Sequence, residues 1–221
     1  MEAKEVIYFM TLEVKEFQVI RSSSVFITEY NEFIEIFNNN SIRLCDKKMV
    51  IDEKKVNNIH ERFMHAVSCD EIKLKDKDYP PCNNELPSEI CVTRCNLDNA
   101  DFSFRKINRV ECLYRLSRIH WVKELINMAN EDDEKIKLWR YEKKDSTNGK
   151  FQWKWYLRYK EKANDFLVVF REDKDKNGEV VLNFRTAYPV YLPGDKQKLN
   201  KEYSRAKKDG NIIKNKKPAF V

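Results

Sequence analysis

The sequence predicts an α+β fold, and three features carry that prediction. Residues Asp165–Val190 read as a β-hairpin: Phe166, Val168 and Phe170, then Val180, Leu182 and Phe184, place one apolar face at period two. Asn177-Gly178 lies between the two runs, a pair that tolerates the positive φ values of a tight turn. Phe151–Tyr159 alternates as well, with Phe151, Trp153, Trp155, Leu157 and Tyr159 on one side and Gln152, Lys154, Tyr156 and Arg158 on the other. Helical stripes precede this sheet, and a basic helix from Asp195 to Lys208 follows it.

Charge divides the chain. The net charge of +6 conceals 13 basic against 19 acidic residues over positions 1–101, and 29 against 17 over 102–221. Two domains are therefore expected: an acidic accessory or regulatory domain at 1–101, which contains strands, and a basic domain at 102–221. Lysine and arginine gain by displacing counterions from phosphates, so the basic half points to nucleic acid. A lysine-rich solvated surface is the alternative.

In the first half, EVIYFMTLEV, FQVI and VFIT over residues 5–28 are rich in β-branched and aromatic residues, which predicts strands. Phe33, Ile34 and Phe37 predict a short helix over Glu29–Phe37. Asp52–Val67 predicts a second, with Asp52 as N-cap and an apolar stripe of Val56, Ile59, Phe63 and Val67. His60 and His65 ride on it as surface or core-edge histidines. Lys73–Pro87 is polar and interrupted by Tyr79-Pro80-Pro81 and Pro87, and ICVTRCNL predicts a strand just before the boundary.

In the second half, Ile107, Val110 and Tyr114 predict a helix over Phe104–Ser117. Val122, Leu125, Ile126 and Ala129 predict another over Val122–Ala129. Glu131–Glu134 is an acidic turn, Lys135–Tyr141 a strand and Ser146–Gly149 a turn.

Several chemistries lack their residues. Four glycines leave no phosphate-cradling loop, no Ser/Cys–His arrangement stands out, and no His/Asp cluster suggests a metal nuclease. Among six cysteines only Cys91 and Cys95 are spaced like half of a zinc site. No metal and no cofactor are expected. Neither a long apolar run nor a secretory leader is visible, which predicts a cytoplasmic protein without a membrane partner.

The candidate chemistry lies on the sheet. If helices cover the face of Trp155, Phe166 and Phe184, then Lys154, Tyr156 and Arg158 lie together on the opposite face, with Asn183 and Arg185 alongside. Cations and a phenol so placed suit a phosphodiester, and Tyr156 and Tyr188 suit base stacking. An ordinary solvated sheet face is the other reading.

Four short motifs add a resemblance. R-x-x-R-I-H-W at Arg115–Trp121, W-Y-L-R at Trp155–Arg158, the D-F-L-V-V-F-R-E block and F-R-T-A-Y-P-V resemble phage-borne members of the barnase–EndoU–colicin–RelE superfamily of ribonuclease toxins. The resemblance spans Phe102–Lys208. It implies a helix pair followed by an antiparallel sheet, and metal-independent RNA cleavage by attack of the ribose 2′-hydroxyl on the adjacent phosphate. Partners implied are RNA and an antitoxin or inhibitor protein. On this reading Thr186 hydrogen-bonds the phosphate, Arg185 clamps it, and Arg118 reaches the same cleft from the helical side. Each has an alternative as a turn-forming threonine, an exposed strand cation and a helix-end cation. His120 stands where the family often carries proline, so a catalytic imidazole and a sporadic histidine both remain open. Lys154, Tyr156, Arg158 and Tyr188 are the substrate-binding candidates. A nucleic-acid binder without catalysis, and a protein-interaction factor in host–phage conflict, are the competing classes.

Overall fold

The computed structural model describes residues 12, 23–70, 102–104, 107–144, 149–162 and 164–214. The α+β class holds: among the described residues, helices flank a mixed six-stranded sheet. The expected strands before residue 22, the strand at ICVTRCNL, the loop at Lys73–Pro87, the Ser146–Asn148 part of the next turn and the Cys91–Cys95 pair lie outside the described residues.

The first half opens with helix α1 (Ser23–Asn38), where VFIT was expected to be a strand. Tyr30, Phe33, Ile36 and Phe37 fall at helical spacing and are buried, and that stripe outweighs the strand propensity of Val25–Thr28. Strands β1 (Arg43–Leu44) and β2 (Lys47–Val50) follow as a hairpin turned by Cys45 and Asp46, both at positive φ. Next comes a second hairpin, β3 (Lys55–Val56) with β4 (Ile59–His60), in place of most of the helix expected over Asp52–Val67. Asn57 and Asn58 adopt φ of 50° and 64°, a left-handed pair that no α-helix accommodates and that asparagine tolerates. Only α2 (Glu61–Ala66) is helical, ahead of β5 (Ser68–Asp70).

Beyond residue 101 the expected Phe104–Ser117 helix is replaced by β6 (Phe102–Phe104) and β7 (Ile107–Glu111), with helix only in α3 (Leu113–Leu116). Strand β7 pairs with both β6 and β5, and this pairing sets the local structure against the helical stripe in the sequence. Helix α4 (Trp121–Asn130) buries Val122, Leu125, Ile126 and Ala129 as its periodicity requires. Strands β8 (Ile136–Lys144), β9 (Phe151–Glu161), β10 (Asn164–Lys174) and β11 (Val180–Pro189) form the antiparallel meander, and α5 (Pro193–Lys208) closes the fold. The β10–β11 turn places Gly178 at φ 83°. Asp175 Oδ1 accepts hydrogen bonds from the Asn177 and Glu179 amides at 2.8 and 3.0 Å.

The main sheet runs β1-β2-β11-β10-β9-β8, and β2 joins β11 in parallel through Leu182↔Met49 and Asn183↔Val50. The division expected at residue 101 therefore does not divide the core. Phe33, Phe37 and Met49 from the acidic half and Phe170, Leu182 and Phe184 from the basic half belong to one apolar cluster. Phe33 and Phe184 meet edge to face at 5.1 Å. Helices α1, α2 and α4 cover this side. The other side carries Trp139, Tyr156, Leu167 and Val169 and is covered by Leu199 and Ala206 of α5. No described helix is long and apolar enough to cross a membrane.

Candidate active site

Strand β11 decides which of its side chains reach which face. Phe170 pairs with Phe184 and Val169 with Thr186, so Arg185 is the extra residue of a β-bulge. A bulge bends its strand and re-aims the side chains beyond it. Phe184 points into the large core, whereas Thr186 and Tyr188, opposite Val169 and Leu167, lie on the α5 side.

There Thr186 and Tyr188 line a cleft of about 240 Å³ together with Arg109, Arg115, His65 and Cys69. Its rim is completed by Asp70, Pro189 and the start of α5 at Leu192 and Asp195. The volume is below the roughly 300–1,000 Å³ of most small-molecule pockets. It suits a phosphate with part of its ribose better than an entire cofactor. Thr186 Oγ1 is buried and has no hydrogen-bond partner among the described residues. A buried hydroxyl left without a partner is uncommon, and a ligand oxygen would satisfy it.

The cations reach the cleft through the small sheet. Pairing of Asp70 with Arg109 and of Cys69 with Val110 brings residues about forty apart in sequence side by side. The Arg109 guanidinium is anchored by Nε to Ser68 Oγ at 2.7 Å and by Nη2 to Ser68 O at 2.9 Å. Arg115 Nη1 donates to the same carbonyl at 3.0 Å. Two anchored guanidinium groups thus converge on one carbonyl at the cleft wall, with Asp70 and Asp195 beside them.

Tyr188 is set as a donor. Burial raises its phenol to about 12, Asp195 and Tyr156 add to the rise, and Arg115 opposes it. It therefore stays protonated at neutral pH and gives a hydrogen bond rather than taking a proton. Cys69 moves the other way, down to about 6. The hydrogen bond with Cys112 is the largest cause and the Arg115 and Arg109 charges assist, against burial.

The structure places the predicted residues as follows. Thr186 and Tyr188 meet in the cleft. Arg118 does not line it: it is buried, with its guanidinium carbon 3.7 Å above the Tyr114 ring and Nη1 bonded to Tyr114 O at 2.9 Å. His120 is the N-cap residue of α4, its ring centre 6.4 Å from that of Trp121, and it does not line the cleft. Arg185 occupies the bulge. Lys154, Tyr156 and Arg158 share one face as expected, but that face is not an open cleft. Tyr156 is buried and stacked on Trp139 at 5.2 Å. Its phenol is raised far above its ordinary value by burial, which removes it as a base. Arg158 is only 1% exposed and lies beneath α5, its Nη1 bonded to Asn200 Oδ1 at 2.9 Å. Lys154, four residues earlier on β9, sits about 13 Å from Arg158 at 3.3 Å per residue. The reading from sequence missed His65 and Arg109, and gave Arg115 no role although it opens the R-x-x-R-I-H-W motif.

No family model, no curated protein and no solved structure matches the chain.

Among the described residues no group of three or more His, Cys, Asp or Glu side chains is arranged to hold a metal ion. The cleft brings two guanidinium groups, a hydroxyl, a protonated phenol, an imidazole, a thiol and the Asp70 and Asp195 carboxylates around one space.

Proposed function

We propose that this protein is a metal-independent endoribonuclease of the toxin or phage-conflict type, and that the cleft at the end of β11 holds the scissile phosphate. The observation that carries this reading is the meeting of Arg115 and Thr186 in one cleft. They come from two motifs seventy residues apart, each separately similar to the same ribonuclease superfamily. Arg115 and Arg109 neutralise the phosphate and stabilise the charge that grows on its oxygens. Thr186 Oγ1 and the Tyr188 phenol donate to those oxygens. The 2′-oxygen attacks phosphorus while its proton passes to His65, the histidine of the cleft. The bond from phosphorus to the 5′-oxygen breaks, and that oxygen recovers the proton directly or through water, leaving a 2′,3′-cyclic phosphate. The setting is cytoplasmic RNA, with an inhibitor protein as the implied second partner.

A binder that does not cleave is the second reading. It is favoured by Arg109, whose Nε and Nη2 already serve Ser68 and, at 3.3 Å, His65 O. One experiment separates the two. The full chain is incubated with RNA in chelator, and product ends are analysed. Fragments ending in cyclic phosphate are expected, with a rate about 100-fold lower for Arg115→Gln or Thr186→Val, typical of losing one charge-stabilising donor. RNA that is bound but left intact selects the non-cleaving reading.

A further inference from the structure

Helix α5 carries six basic residues against two acids, Asp195 at its cleft end and Glu202. Its acid at Glu202 is turned toward the sheet and held by Lys143 Nζ at 2.7 Å. Leu199 and Ala206 face the core. On the outer side Gln197, Lys201, Arg205 and Lys208 recur at helical spacing and line a shallow groove of about 470 Å³. A second groove of about 710 Å³ lies between α5 and the β8–β9 edge, where Lys137, Lys160 and Lys207 gather around Tyr203. The two share Asn200, Ser204 and Lys208, so they run into one another. Neither has an acidic residue in its lining, although Arg205 lies 3.8 Å from Asp209 in an exposed ion pair.

The grooves and the cleft share no lining residue, and α5 is the element that connects them. Helix α5 begins at the cleft rim, at Leu192 and Asp195, and its eleven-residue step from Gln197 to Lys208 covers about 16 Å. At the far end the Lys137 ammonium sits 5.0 Å from the Tyr203 ring centre. Burial chiefly lowers its pKa, with the Arg158 and Lys160 charges adding to the shift and Asp165 opposing it. Cations alternating with Asn, Ser and Gln donors, and one aromatic ring beside them, are what a single-stranded backbone uses for sequence-tolerant binding.

We propose that the outer face of α5 and the adjoining β8–β9 groove form a track for single-stranded RNA, guiding the strand to and from the cleft. The proposal rests on the ribonuclease reading for its choice of RNA, but the track binds phosphates whether or not the cleft cleaves.

The test uses the full chain and a 2′-O-methyl oligonucleotide, which presents an RNA backbone without the attacking hydroxyl. Binding is measured by fluorescence anisotropy over a range of salt. In the track variant Lys160, Lys201, Lys207 and Lys208 are all changed to glutamine. In the control variant Lys54, Lys123, Lys174 and Lys176 are changed, giving the same change in net charge at exposed positions elsewhere. Each lost phosphate contact lowers the slope of log affinity against log salt by about 0.7 for single strands. The track variant is therefore expected to lose close to 3 units of slope and at least tenfold in affinity at low salt, with the control near wild type. Equal losses in both variants overturn the track even if RNA is cleaved. Selective loss in the track variant without cleavage by the wild type upholds the track and overturns the nuclease. No binding at low salt overturns both.

Discussion

Arg158 and Asp165 form a two-pronged ion pair beneath α5, with Nε to Oδ1 at 2.7 Å and Nη2 to Oδ2 at 2.6 Å, both side chains at most 3% exposed. Its cost and its worth both follow from burial. Two charges taken from water are tolerated because the guanidinium fork matches the carboxylate and Asn200 satisfies a further donor. Removing one partner strands the other. Asp165→Asn or Arg158→Gln is expected to destabilise the fold by about 3–5 kcal/mol, whereas Arg158→Met with Asp165→Leu should recover most of it. Denaturant unfolding of the three variants checks this. Equal instability of the double and single variants would show that the loss is not the cost of a stranded buried charge.

The same pair shows why the sheet face was misread from sequence. Lys154, Tyr156 and Arg158 at period two are what an open polar face looks like, and nothing local in β9 reveals a covering helix forty residues later. The hairpin was legible because Phe166, Val168, Phe170 and the Asn177-Gly178 turn are local signals that agree. The Asp52–Val67 stripe satisfied a helical period, yet two adjacent asparagines in left-handed geometry decided otherwise. Thr186 and Tyr188 were legible as neighbours on one strand end, and the structure brings both into one cleft. The other lining residues were not, since Arg109 arrives only through the β5–β7 pairing and His65 from α2, just ahead of β5.

His60 gives the fold an acid-sensitive contact. It is buried and within 2.7 Å of the Tyr30 hydroxyl, and burial, with help from Lys55, lowers its pKa below 6.5. The unfolded chain thus takes up a proton at higher pH than the folded one. Stability from this group is complete above about pH 6.5 and is lost as pH falls through the lower folded value. The denaturation midpoint is expected to drop between pH 7 and 5.5, and His60→Gln should flatten that drop. An unchanged pH dependence in His60→Gln would assign it to other groups.

Cys69 acts in a different window. Its thiol, beside Cys112 and the guanidinium groups of Arg115 and Arg109, is lowered from 9.0 to about 6. The folded protein releases this proton before the unfolded chain does, so stability should rise with pH from about 6 and level off near 9. Cys69→Ser removes that rise, and Cys112→Ser, keeping a donor, should preserve part of it. Urea titrations at pH 6, 7, 8 and 9 give the profile. If Cys69→Ser keeps the wild-type rise, the thiolate does not contribute.

The parallel joint between β2 and β11 makes a prediction about the two halves. Residues 102–221 alone would lack the β2 edge that pairs with Leu182 and Asn183, and the rings of Phe33, Phe37 and Phe63 that pack around or behind Phe184. Leu182 and Phe184 are fully buried in the whole chain, and each would lose about 1.5–3 kcal/mol of burial if exposed. Net stabilities of whole domains are only about 5–15 kcal/mol, so losses at several such positions suffice to unfold the fragment. The exposed β11 edge would also template aggregation. The fragment is therefore expected to be insoluble or to lack a cooperative thermal transition, while residues 1–101 supplied in trans should restore one. A fragment that unfolds cooperatively by itself would show that the first half is dispensable to the core.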